Sequence, residues 1–224
     1  PAGYVGAIRA AQLGKKVACV EVDRAGGTCL NWGCIPTKAL LKNAELYQTL
    51  TKKAGEFGIS FDNLAFDWTK VVGRSRKVST RLAGGIEFLF KKNKVDYVKG
   101  YGAVTGENTV EVTAKDGTKQ TITGANILIT TGCKSRELPP LPFNGTSVIS
   151  SKEAMNLAEQ PKSLAIIGAG AIGVEFAYIY NAFGTKVTLI EMLPNILPVE
   201  DDEVGAEIGK SFKKQGINVL TSTK

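Results

Sequence analysis

Leu164-Ala165-Ile166-Ile167-Gly168-Ala169-Gly170-Ala171-Ile172-Gly173-Val174-Glu175-Phe176-Ala177-Tyr178-Ile179-Tyr180 decides the fold. Four apolar residues read as a buried strand. Three glycines follow in the spacing Gly-x-Gly-x-x-Gly, and Val174 to Tyr180 continues as a helix. Lys186-Val187-Thr188-Leu189-Ile190-Glu191 is the next strand, ending in an acid 18 residues after Gly173. The glycine spacing alone is a weak signal. With the strand before it, the helix after it and the acid at this distance, it reads as a dinucleotide-binding unit rather than a glycine-rich turn of some other α/β protein. Gly168 permits the tight turn, Gly170 lets the backbone approach a pyrophosphate, and Gly173 lets the helix lie close on the strand. The helix N-terminus offers N–H groups and positive dipole to phosphates. A Glu191 carboxylate suits ribose hydroxyls and repels a 2′-phosphate, which favours NAD over NADP.

A partial copy of this unit stands at the start of the chain. Pro1-Ala2-Gly3 leads into an amphipathic helix ended by Gly14, then into the strand Lys16-Val17-Ala18-Cys19-Val20-Glu21, which also ends in an acid. Gly3 takes the place of the last fingerprint glycine. The first strand and first two glycines are missing, so the chain reads as cut just inside the fingerprint. Ile217-Asn218-Val219-Leu220 reads as a strand followed only by polar residues, so the other end reads as cut too. The expected fold class is α/β, with two Rossmann-like dinucleotide-binding domains over residues 1–145 and 146–224.

Between the two units lies Gly26-Gly27-Thr28-Cys29-Leu30-Asn31-Trp32-Gly33-Cys34-Ile35-Pro36-Thr37-Lys38. Of the four cysteines, at 19, 29, 34 and 133, only Cys29 and Cys34 have suggestive spacing. Positions four to five apart on a helix lie on neighbouring turns. Bridging five needs the first turn distorted, to bring the Cα atoms within about 7 Å. The same thiols could be a buried staple or stay free in a core. Two nucleotide units with a dithiol between them imply an electron path. Nicotinamide and a disulfide do not react readily without a relay, so the first unit is expected to hold FAD and the second NAD.

Residues 26–38 resemble, residue for residue, the redox-disulfide motif of the class I FAD-dependent pyridine nucleotide–disulfide oxidoreductases. The likeness covers essentially all 224 residues and is closest to members that oxidise dihydrolipoamide. It implies a catalytic set of Cys29, Cys34, Lys38 and Glu175. Cys34 would be the thiol nearest the flavin, and Cys29 the interchange thiol. Lys38 would lie near flavin N5, paired with Glu175. Glu21 would hold the FAD ribose, with Gly27, Thr28 and Cys29 along its phosphates and ring. Gly102, in Gly100-Tyr101-Gly102, would approach the adenine. Thr131 and Gly132, closing an apolar strand from Ile127, would make a second FAD contact.

The chain departs from the pattern after Gly132. Cys133-Lys134-Ser135-Arg136 stands where a serine, and often a proline, are usual. Cys133 is expected to be a small packed loop residue. The resemblance also implies a homodimer at full length and a lipoyl carrier domain of a 2-oxoacid dehydrogenase or glycine cleavage complex as partner. The location would be the cytoplasm, or the mitochondrial matrix in a eukaryote. The family's base, a histidine oriented by a glutamate, belongs to a C-terminal interface domain this chain lacks. There is no histidine in the sequence. Two other readings remain. One is a glutathione- or mercuric-type reductase, which favours NADPH and carries arginines where Met192-Leu193-Pro194 stands. The other is a non-catalytic nucleotide-binding module.

Composition narrows the remainder. Hydrophobic residues make up 43% of the chain, no apolar run is long enough for a membrane span, and no signal peptide is visible. The net charge of +7 comes from scattered lysine pairs with no interleaved aromatics, so no nucleic-acid partner is expected. No metal site is expected either. Residues 37–54 and 67–93 have helical spacing. Asp116-Gly117 is a hairpin turn between Val110–Thr113 and Gln120–Ile122. Pro139, Pro140 and Pro142 read as an extended link. Trp32 stands out among the aromatics because it sits between the two cysteines.

Overall fold

A computed structural model describes all 224 residues. In chain order the elements are α1 (Ala2–Gln12), β1 (Ala18–Glu21), α2 (Gly27–Trp32), α3 (Cys34–Lys53), a 3-10 turn (Ala54–Phe57), α4 (Trp68–Lys92), β2 (Asp96–Lys99), β3 (Tyr101–Gly106), β4 (Thr109–Thr113), β5 (Lys119–Thr123), α5 (Ser151–Ala154), β6 (Ser163–Ile167), α6 (Ala171–Ala182), β7 (Lys186–Ile190), α7 (Asp202–Lys214) and β8 (Asn218–Leu220). The fold is mixed α/β. No helix is long and apolar enough to cross a membrane. The chain forms two compact units, each discontinuous in sequence. One comprises Pro1–Pro36 and Arg76–Phe143, the other Thr37–Ser75 and Asn144–Lys224.

In the first unit, β1 and β2 pair in parallel, Ala18 opposite Asp96 and Glu21 opposite Lys99. Parallel neighbours need a long crossover, and α1 with the C-terminal half of α4 packs beside the pair. Ala7, Ala25, Leu30, Ala83, Ile86, Phe90 and Val95 form one buried cluster, with Tyr4, Ile8, Val17 and Tyr97 packed against it. The antiparallel sheet β3-β4-β5 follows. The expected hairpin is present. Gly117 has φ +86°, the Thr118 N–H donates to Asp116 Oδ1 at 2.9 Å, and Val112 of β4 is fully buried.

Two expectations in this unit are corrected. Ile127 to Thr131 forms no strand: the segment pairs with nothing, and Leu128 and Ile129 are 74% and 68% exposed. An apolar run becomes a strand only when a neighbour satisfies its backbone groups, and the parallel sheet here has only two strands. The proline segment is not an extended link. It folds into a turn in which the Leu141 N–H donates to the Leu138 carbonyl at 2.8 Å. Pro139 stands where a fixed φ near −65° favours the first corner of such a turn.

In the second unit, β6, β7 and β8 form a three-stranded parallel sheet in that order. Helix α6 connects the first two strands and α7 the last two. β6 and β7 run in register from Ser163–Lys186 to Ile167–Ile190. The core carries Phe176, Ile179, Tyr180, Val187, Leu189, Phe212 and Ile217, all buried. The Thr37–Ser75 segment adds aromatic rings to it. Tyr47 stacks on Phe183 with centroids 5.3 Å apart, Trp68 lies 5.3 Å from Tyr180, and the Trp68 indole N–H donates to the Leu157 carbonyl at 2.9 Å.

Candidate functional site

The dithiol is built by two helices and the glycine between them. Helix α2 has only six residues, too few to hold itself together in water, so tertiary contacts must fix it. Leu30 anchors it in the first unit's core. Gly26, at φ +114°, starts it, and a Cβ there would meet the Leu30 side chain at 2.9 Å. Gly33 ends it with a non-helical backbone (φ −151°, ψ −118°), and a Cβ there would lie 3.2 Å from both the Cys29 Cα and the Thr28 carbonyl oxygen. The helix therefore breaks at Gly33, and α3 begins at Cys34. This break is the distortion the spacing demanded. Cys29 and Cys34 form a disulfide, with Cα atoms 4.7 Å apart.

Several of the other expected residues in this unit converge. The N-terminus of α1 has no side-chain cap, so its first N–H groups remain available for an anion. A Cβ on Gly3 would lie 2.7 Å from Thr130 Oγ1. Gly27 has φ +68°, and a Cβ on it would stand 3.1 Å from the Pro1 nitrogen. Gly132 has φ +77°, and its Cβ would stand 3.4 Å from Thr28 Oγ1. Gly3 is thus packed on Thr130, Gly27 on Pro1 and Gly132 on Thr28, while Thr131 follows Thr130 in an exposed stretch. Glu21 ends β1, where its Oε1 accepts from the Asp23 N–H at 2.8 Å. Gly102 lies on β3 directly over Val20, whose Cγ1 would be 3.2 Å from an added Cβ. Cys133 corrects its expectation: it is exposed, because the segment that carries it has no sheet to pack against.

The second unit holds the remaining expected residues. Gly168 has φ +98°. A Cβ on Gly173 would fall on the Gly168 carbonyl oxygen, so only glycine fits there. Gly170 is the N-cap of helix α6, which has no side-chain cap. Glu191 is buried, 8% exposed. Its Oε2 accepts from the Ala169 N–H at 2.8 Å and its Oε1 from the Leu193 N–H at 3.0 Å. Those two bonds tie the glycine turn to the end of β7 and leave each oxygen a further acceptor site. Lys38 is four residues beyond Cys34 on α3, and its ammonium pairs with the Glu175 carboxylate on α6.

Sequence reasoning gave no role to Asn31, Asp23 or Arg76. The Trp32 indole N–H donates to Asp23 Oδ2 at 2.7 Å. The Arg76 guanidinium lies 5.2 Å over the Trp32 ring and donates to the Asn31 carbonyl at 2.8 Å. Asn31 stands inside the quoted motif and was open to notice. Arg76 lies far along the chain with no local signal.

The α/β fold and the Cys29–Cys34 disulfide place the chain in one class with the disulfide oxidoreductases. The chain belongs to the pyridine nucleotide-disulphide oxidoreductase family, whose pattern it matches over residues 1–224. It is similar to the dihydrolipoyl dehydrogenase of Chlorobaculum parvum, 45% identical over all of this chain and 48% of that protein. Its fold is similar to the crystal structure of LpdA from Mycobacterium tuberculosis (TM-score 0.90, 23% identical, 99% of this chain and 49% of that one). It is also similar to the Cu(II) complex of the HOCl-induced flavoprotein disulfide reductase RclA from Escherichia coli (TM-score 0.83, 29% identical, 100% and 47%). The chain spans about half the length of the curated relatives it matches.

Proposed function

We propose that this chain is the cofactor-binding part of an NAD-dependent dihydrolipoyl dehydrogenase. The observation that carries the reading is the Cys29–Cys34 disulfide, set in a chain of the pyridine nucleotide-disulphide oxidoreductase family. Two Rossmann-like domains, 1–145 for FAD and 146–224 for NAD, would carry the two cofactors.

The residues present fit both nucleotides. Gly3 packs against Thr130, Gly27 against Pro1 and Gly132 against Thr28, which gathers main chain from three segments beside the start of α1. That main chain suits the FAD phosphates, with Glu21 toward the ribose and Gly102 toward the adenine. Gly168, Gly170 and Gly173 with the α6 terminus suit the NAD phosphates, and the free acceptor sites of Glu191 suit the adenosine ribose. Bound FAD would supply the two-electron relay between a thiol pair and nicotinamide.

The dithiol would handle the substrate by exchange. One thiolate of dihydrolipoamide attacks Cys29 Sγ, forms a mixed disulfide and releases Cys34 as thiolate. The second substrate thiolate attacks its own sulfur in that mixed disulfide. Lipoamide leaves oxidised, and the cysteine pair is left reduced by two electrons. Lys38 and Glu175 would hold charge near the flavin ring. A lipoyl carrier domain of a 2-oxoacid dehydrogenase or glycine cleavage complex is the partner, a homodimer the full-length assembly, and the cytoplasm or mitochondrial matrix the location.

Thiol counting tests the reading. The oxidised chain offers two free thiols, Cys19 and Cys133. Loaded with FAD and given NADH anaerobically, it is expected to show four, and to respond much more weakly to NADPH. A count that stays at two with NADH overturns the proposal.

A further inference from the structure

Asn31 is the least expected buried polar group in the dithiol segment. It is 2% exposed. Its Nδ2 donates toward the carbonyls of Ala25 at 3.1 Å, Gly27 at 3.2 Å and Arg24 at 3.4 Å. Its Oδ1 has no partner. A buried acceptor without a donor is costly, so the amide nitrogen is what the site uses. That nitrogen ties the turn leading into α2 to the helix's own last turn, with Cys29 between. The Asn31 backbone is held from the other side, where Arg76 donates to its carbonyl while lying over Trp32.

We infer that Asn31, held by Arg76, is a positioning residue that keeps Cys29 within bonding reach of Cys34 when the disulfide is open. The inference rests on the redox reading of this pair. Helix α2 is too short to keep its shape alone, and Gly33 breaks it from α3. Without the clamp, opening the disulfide would free the segment that carries Cys29. With the clamp, much of the entropy of bringing the two sulfurs together is already lost, which raises the effective concentration of one thiol at the other. The clamp and the S–S bond restrict the same freedom, so each strengthens the other.

The test is the equilibrium of the pair with glutathione on the purified chain. One protein disulfide and two glutathione thiols give one protein dithiol and one oxidised glutathione, read by alkylation and mass. Asn31→Leu keeps the branched shape and heavy-atom count and removes the donor. It is expected to lower the effective concentration about tenfold, a shift of about 30 mV toward a more easily reduced pair. Its thermal destabilisation is expected to be larger in the oxidised than in the reduced protein. Equal destabilisation in both states with an unchanged equilibrium would make the role merely structural and overturn the inference. If Asn31→Leu does not fold, Arg76 decides. Arg76→Ala should shift the equilibrium in the same direction and Arg76→Lys should restore most of it, whereas no shift in Arg76→Ala overturns the inference. A wild-type pair that stays closed in every glutathione buffer and in excess dithiothreitol overturns the redox reading and this one with it.

Discussion

At the scale of single residues, space and charge act with different force. Gly173 has no room for a methyl group, because the Gly168 carbonyl occupies its position. Gly173→Ala must push the glycine turn away from α6, and such overpacking costs on the order of 1–3 kcal/mol. The variant is expected to melt lower and to lose NADH binding measured by fluorescence. The Lys38–Glu175 pair is different. The lysine side chain is 59% exposed and the glutamate 24%, so solvent screens the attraction. Glu175→Gln should change stability by less than about 1 kcal/mol in denaturant melts, and any larger consequence must appear in function. The glycines were legible in the sequence because their spacing carries their reason. Arg76 was not, because its bond to Asn31 joins positions 45 apart, and no local pattern encodes a contact of that span.

Among the elements, those whose reasons are local were the legible ones. The α3 and α4 helices follow from apolar spacing, and the β4–β5 hairpin from its turn residues. Ile127 to Thr131 looked no less regular, yet a strand's stability lies in its neighbour, and a single sequence does not display the neighbour. The four-residue α5 depends on its cap. Ser150 and Glu153 form a reciprocal capping box, with the Ser150 N–H donating to Glu153 Oε2 at 2.9 Å and Lys152 N–H to Ser150 Oγ at 3.2 Å. The Ser150 hydroxyl is the main cause that holds the Glu153 carboxyl below its ordinary range. A depressed carboxyl favours folding above its unfolded value of about 4.3, and that contribution disappears as pH falls through the lower folded value. Carbon NMR titration should place the Glu153 carboxyl below the ordinary glutamate value of about 4.3. Ser150→Ala should return it toward that value and fray α5.

For the whole molecule, the compact units do not follow the order of the chain. Residues 37–75 belong with the second unit although they precede the hairpin of the first. Hydrophobic spacing announces that a helix will bury a face, but not against which partner. Chemistry at this scale is bounded by composition. With no histidine, the chain has no imidazole to deprotonate a substrate thiol, and only thiolates attack. Turnover of free dihydrolipoamide by this chain with FAD and NAD is therefore expected to be slow at pH 7. It should climb steadily toward pH 9 with no inflection near 6.5 in a pH–rate profile, and fast turnover at neutral pH contradicts this. The position of the disulfide has a mechanical consequence as well. The ring it closes spans a sequence separation of only 5, so it restrains the unfolded chain by about 2 kcal/mol, against about 4.7 for a loop of 100 residues. Because the two sulfurs meet across a helix break, neither helix has to unwind when they part. On the proposed redox role, the bond is a hinge pin that can be drawn and replaced without dismantling the frame around it.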